Sequence, residues 1–240
     1  MSNNPIKAEV FVYTGPGGES PPQNVVHIRV NPSVTSIPAD AFFQRKKLTE
    51  VELCEGVVEI GDGSFAHCNH SITKIVIPNS LRRIKDTAFI KSLRCPIRLH
   101  DGIESIGAFA FADCIFTNFR VPPLINVIPV YMLRGCKSMF SLELSENMTE
   151  IKNYAFTFCY CLRNVAFPPN AILADNIFGG SATDQYDLQQ LFGSIAEIIR
   201  QLQHRFDGLP IHSIVYYQSY NQGVLQILIA AMNSRWGHCW

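Results

Sequence analysis

The chain lacks net charge of either sign: 20 lysines and arginines cancel 20 aspartates and glutamates, so no long-range field gathers nucleic acid or an anionic membrane surface. It also lacks a run of about eighteen apolar residues. The most apolar late stretch, residues 224–232, is half that length, so no membrane span is expected. Residues 1–12 hold no basic segment followed by a long apolar one, so no secretory signal is expected and the expected location is cytoplasmic. Gly-x-Ser-x-Gly, phosphate-loop and dinucleotide fingerprints are missing. Gly15-Pro16-Gly17-Gly18 superficially resembles one, but no strand-to-helix context and no Lys-Ser or Lys-Thr follows it. No catalytic residues and no cofactor are expected.

What the chain has is a repeat. A branched apolar residue is followed five positions later by phenylalanine or leucine at Ile37/Phe42, Ile60/Phe65, Ile84/Phe89, Ile106/Phe111, Ile128/Leu133, Ile151/Phe156 and Leu173/Phe178. The second residues are spaced 23, 24, 22, 22, 23 and 22 apart. A fixed period of that size marks a solenoid whose units bury their faces only against neighbouring units, and it directs function to a surface more than to a pocket.

Four of the eight cysteines hold one offset in this repeat: Cys68, Cys114, Cys136 and Cys159 each lie three residues after Phe65, Phe111, Leu133 and Phe156. Other units place Arg45, Ser92 and Ser181 there. A position that accepts cysteine or serine reads as a small buried site, with reduced, structural thiols. His67-Cys68-Asn69-His70 and Cys159-Tyr160-Cys161 therefore lose the cysteine that a metal or nucleophile reading needs, and no metal centre is expected. His238-Cys239 lies outside the register, and reads as end-of-chain packing before a reactive thiol.

A second apolar pair, spaced i and i+2, recurs at Ile28/Val30, Val51/Leu53, Ile75/Ile77, Ile97/Leu99, Phe119/Val121, Leu142/Leu144 and Val165/Phe167. This predicts seven short strands with one face buried. Seven positions separate each of the first six pairs from the next isoleucine, so the register is tight, and proline after several strands ends them. Around each phenylalanine the spacing i, i+4, i+5, i+8, as in Ile106, Ala110, Phe111 and Cys114, predicts one short helix or helical turn per unit. Strand parity turns the intervening residues outward. Of these, Arg29, Glu50, Glu52, Lys74, Arg98, Asn118, Arg120 and Glu143 are the candidate binding residues, in columns about 5 Å apart. Two readings of this strip stand side by side: a solvated face with cross-strand pairing, and a protein-binding strip in which Arg98, Arg120 and Glu143 choose the partner while aromatic neighbours supply area.

The unit Leu99-His100-Asp101-Gly102-Ile103-Glu104-Ser105-Ile106-Gly107-Ala108-Phe109-Ala110-Phe111-Ala112-Asp113-Cys114 resembles the BspA-type leucine-rich repeat, and the units around Phe65 and Phe156 fit almost as well. The resemblance covers residues 25–180, with departures at Met132-Leu133 and in the eroded last unit. It implies an α/β repeat solenoid, a right-handed superhelix with a parallel sheet on its concave side, used to bind proteins. Some members resembling this chain are exported surface adhesins, while many in single-celled algae lack export signals. The segments Glu9-Val10-Phe11-Val12-Tyr13 and Leu209-Pro210-Ile211-His212 look like those of the algal group.

The organisation expected is an N-terminal cap strand and turn over residues 1–23, a solenoid over 24–182 and a helical cap or tail over 183–240. The cap strand is a candidate hairpin onto the first strand. In the tail, Leu188, Leu191, Phe192, Ile195, Ile198, Ile199 and Leu202 repeat as one helical face, and residues 224–232 suggest a second helix. The function expected is a non-catalytic, monomeric protein-interaction module, with tail-mediated association as a variant. The competing reading is an exported adhesion protein.

Overall fold

The computed structural model describes residues 10–168, 171–174 and 177–178. The expected tail helices, the boundary at residue 183 and the His238-Cys239 pair lie outside the described residues. The chain winds as a parallel-strand solenoid of about six turns. Each coil contributes a shorter strand and a turn segment carrying the repeat phenylalanine or leucine, and all but the coil of β8 a longer strand as well. The longer strands are β2 (His27–Val30), β4 (Glu50–Glu52), β6 (Lys74–Val76), β9 (Asn118–Arg120), β11 (Ser141–Glu143) and β13 (Asn164–Val165). The shorter are β3 (Ser36–Ile37), β5 (Glu59–Ile60), β7 (Arg83–Ile84), β8 (Ser105–Ile106), β10 (Val127–Ile128), β12 (Glu150–Ile151) and β14 (Ile172–Leu173).

Register follows the period. Ile28 pairs with Val51 and Val51 with Ile75, while Ile37, Ile60, Ile84 and Ile106 align across the short-strand sheet. β1 (Val10–Tyr13) joins the long-strand sheet in parallel, with Val10 opposite His27. The expected hairpin is not formed: residues 14–26 carry the chain around a coil, and the strand returns in the same direction. Tyr13 is thereby buried, its ring centroid 5.0 Å from that of Phe42 in an edge contact.

The expected helical turns are absent: no helix occurs among the described residues. Every second amide of the turn segment donates back to the third preceding carbonyl, as in Ser64 N–H to Gly61 O and Ala66 N–H to Gly63 O. The alternate amides donate to the next coil: Gly63 to Asp86 O, Phe65 to Ala88 O and His67 to Ile90 O. This alternation needs a left-handed residue two before and two after the central phenylalanine or leucine. Those positions are Asp40 and Gln44, Gly63 and His67, Thr87 and Lys91, Phe109 and Asp113, Tyr131 and Gly135, and Tyr154 and Phe158, all at positive φ. An α-helix would point every amide along its own axis. The i, i+4, i+5, i+8 spacing fits either backbone, which is why periodicity reads it as a helix.

The strand expected at residues 97–99 is also missing, although Ile97 and Leu99 are buried as its alternation requires. Pro96 occupies the register position of Lys74, whose amide donates to Thr49 O; proline has no amide to give. The long-strand sheet thus splits into β1-β2-β4-β6 and β9-β11-β13, and the short-strand sheet splits between β8 and β10. The turn ladder crosses both gaps, with Thr87, Phe89 and Lys91 bonded to Ala108, Ala110 and Ala112, and Phe109, Phe111 and Asp113 to Val130, Met132 and Arg134.

The core is a column. Phe42, Phe65, Phe89 and Phe111 are fully buried, and their rings stack at 4.9, 5.3 and 5.6 Å between centroids. Each such side chain contributes roughly 1.5–3 kcal/mol by burial. Thr87 separates the two backbone readings experimentally, since a β-branched residue at φ 55 is strained. Thr87→Gly is expected to stabilise the protein by about 1 kcal/mol, read as a raised thermal midpoint, whereas in a helix interior the same change costs about 1 kcal/mol.

Candidate functional site

The predicted binding residues gather on the outer face of the long-strand sheets. His27, Glu50 and Lys74 form one row, and Val12, Arg29, Glu52 and Val76 the next. Beyond the gap, Asn118 aligns with Ser141 and Asn164, and Arg120 with Glu143. Charges of opposite sign meet across strands. Arg29 Nε donates to Glu52 Oε2 at 2.6 Å, Lys74 Nζ lies 3.2 Å from Glu50 Oε2, and Arg120 Nε lies 3.3 Å from Glu143 Oε1. Asn164 Nδ2 donates to Ser141 Oγ at 3.2 Å. Cross-strand pairing is therefore realised on this face; as solvent-exposed ion pairs these set side-chain positions more than they add stability.

The guanidinium of Arg29 holds the Glu52 carboxyl below the usual carboxylate range. Arg120 is more firmly protonated than an ordinary arginine because it bonds Asp101 at 2.7 Å and then Glu143. Arg98 stands in the sheet gap, exposed, and has no ion pair among the described residues. Val12 and Val76, each 48% exposed, and Phe140 at 53% lie on or beside the face as apolar area. Phe140 is an aromatic neighbour of the kind expected, whereas the valines border the Arg29–Glu52 pair.

Residue periodicity alone missed three features. Asp101 comes from a turn, outside the strand pattern, yet pairs with Arg120. His27, in the strand column but not among the candidate binding residues, places Nε2 3.1 Å from Glu52 Oε1. On the short-strand sheet, Glu59 meets Arg83 at 2.7 Å and Lys85 at 3.7 Å, which holds the Glu59 carboxyl low, chiefly through Arg83. The 24-residue separation of Glu59 and Arg83 is itself a repeat period and is the signal that reveals the pair.

The ladder cysteines do more than fill space. Cys114 Sγ donates to Phe89 O at 3.1 Å, Cys136 to Phe111 O at 3.2 Å and Cys159 to Leu133 O at 3.1 Å, while Cys68 reaches Phe42 O at 3.5 Å. Ser92 Oγ makes the equivalent bond to Phe65 O. The column accepts cysteine or serine because it requires a small side-chain donor for the carbonyl of the preceding coil. The residues around Cys68 disperse: His70 Nε2 contacts Asp113 O at 2.7 Å, and His67 packs edge-on against Phe43. Cys159 is buried while Cys161 is exposed, so these two do not converge on a common ligand.

A family model described as BspA type leucine rich repeat region matches residues 22–95 and 60–184, in 6 copies. The solved structure of a leucine-rich repeat protein from Bacteroides ovatus is similar, with 31% identity and a TM-score of 0.58 over 61% of this chain. The chain spans 38% of the length of that protein. The leucine-rich repeat protein of T. pallidum shares the fold, at 20% identity and a TM-score of 0.58, over 73% of this chain and 82% of its own. No curated protein matches the chain.

Burial pushes the Cys68 thiol up to about 11 and those of Cys114 and Cys159 up to about 12, with Cys136 also raised. A thiol whose folded pKa exceeds its unfolded value favours folding below the unfolded value, and that contribution fades as pH climbs toward the folded one. Stability is therefore expected to fall between about pH 9 and 12, and less steeply in Cys136→Ser, measured as denaturation midpoints across that range. In the native protein at neutral pH, Cys161 should alkylate while these four resist.

Proposed function

Since the chain belongs to the BspA-type leucine-rich repeat family, we propose that it is a non-catalytic interaction module whose long-strand face docks a protein partner. The observation that carries this reading is the pattern on that face. Its described charges are tied into cross-strand pairs except Arg98, which is exposed where the sheet is interrupted. Paired charges are held in place before a partner arrives, so little side-chain freedom is lost on docking. Among the described residues of this face, Arg98 is the cation left open to a partner's carboxylate, and Val12, Val76 and Phe140 supply apolar area around the charged rows. The partner this favours is a protein surface that presents acidic groups to Arg98 and apolar side chains to the valines.

The location we propose is the cytoplasm, with a protein that works as a monomer. Support comes from the thiols: the seven cysteines in the described residues are unpaired, and four of them serve as hydrogen-bond donors that a disulfide would remove. Alkylation after unfolding is expected to find all eight cysteines free; disulfides in the protein isolated from its cells would instead mark it as exported.

Docking is tested by charge reversal at the free position. Arg98→Glu is expected to weaken association with the partner about tenfold or more, with the loss concentrated in the association rate, and to leave the thermal midpoint in place. Affinity for the partner that stays at the wild-type value would remove the long-strand face from the binding site.

A further inference from the structure

The two rows of the long-strand face converge on His27, Glu50 and Glu52. β2 and β4 pair with His27 opposite Glu50, and Glu52 lies two residues further on the same face of β4. An imidazole nitrogen and one oxygen from each carboxylate lie within 4.8 Å of one another. His27 Nε2 is shielded from solvent and has no hydrogen-bond partner. Its charged neighbour is Glu52 Oε1, 3.1 Å away. A buried polar atom left in this state calls for an explanation, and an absent ion is one of the standard ones.

The surroundings match the outer layer of a metal site. Arg29 and Lys74 both engage the Oε2 atoms, of Glu52 at 2.6 Å and of Glu50 at 3.2 Å. Each carboxylate is therefore anchored through one oxygen and has the other to offer, and Glu52 Oε1 is already turned toward the imidazole. Oriented carboxylates of this kind are what outer partners provide around metal ligands.

We propose that His27 Nε2, Glu50 and Glu52 form a three-ligand site for zinc, with the fourth position open to solvent on the strand face. One imidazole and two carboxylates suit zinc, whereas calcium and magnesium ask for six or more oxygens including waters. Zinc takes such ligands at about 2.0–2.2 Å, so the three atoms must close by roughly 1 Å. The carboxylates have room to do so, with side chains 39% and 29% exposed for Glu50 and Glu52. Arg29 and Lys74 cancel the two carboxylate charges, so binding is weaker than at a buried structural zinc. The site lies on the face proposed for docking, but the argument for it does not rest on that role.

The test uses the full chain, stripped with chelator and with its exposed thiols alkylated in the native state. Zinc titrated calorimetrically is expected to bind at one ion per chain, and cobalt in its place to give the visible absorption of a four-coordinate nitrogen and oxygen site. His27→Gln and Glu52→Gln should each weaken zinc binding tenfold or more, while His100→Gln leaves it unchanged. In the wild-type chain the imidazole resonances of His27 should shift with zinc, a reading that does not depend on any variant folding. Unmoved His27 resonances, unchanged affinity in folded His27→Gln and Glu52→Gln proteins, or a thiolate charge-transfer band with cobalt would each overturn the proposal.

Discussion

Everything regular in this protein depends on the alternating amides of the turn segment. With a left-handed residue on each side of the central phenylalanine, every second N–H leaves its own turn and bonds the coil that follows. That sets the rise between coils, and the rise sets the rest. Rings stack at 4.9 to 5.6 Å, strands pair in parallel without slippage, and each thiol at the third position beyond the phenylalanine meets a carbonyl one coil back. The sheets are the less constant partners, since both are interrupted and the turn ladder is continuous through the interruptions.

The cost of this arrangement is backbone strain. Left-handed non-glycine residues are disfavoured, and the chain accepts twelve of them among the described residues, most in the ladder. Glycine takes only two ladder positions, Gly63 and Gly135. Interchain-like bonds between coils, buried rings and side-chain donors together offset the strain, and they do so only when a neighbouring coil is present. The stability of a single coil is therefore inseparable from its stack, as in other repeat arrays.

How much was legible from the residues varies by element. The strand register was, because Ile28, Val51 and Ile75 repeat at the coil period and the structure pairs those same residues. The inward column of Cys68, Cys114, Cys136 and Cys159 was legible for the same reason. Backbone type at the turns was not, since apolar spacing reports which side chains share a face and is blind to the sign of φ. The loss of the strand at residues 97–99 was written in Pro96, whose missing amide outweighs a correct alternation. Of the face, parity revealed which side chains point outward; it could not say that Arg120 would bend to Asp101, nor that Arg98 would stand alone. The grouping of His27 with Glu50 and Glu52 emerges only when residues one period apart are laid side by side.

The double interruption has a mechanical consequence. Most neighbouring coils are joined by three columns of backbone hydrogen bonds, one for each sheet and one for the turns. The coil of β8 and the coil of β9 and β10 share neither sheet, only the turn column and one bond just beyond it, from Ile115 N–H to Leu93 O. Off that column, the Arg120–Asp101 ion pair crosses the same joint at 2.7 Å, a tether that salt loosens. Pulled along its axis, the array is expected to yield first at this seam, where backbone bonds between coils are fewest, and to do so more readily as ionic strength rises.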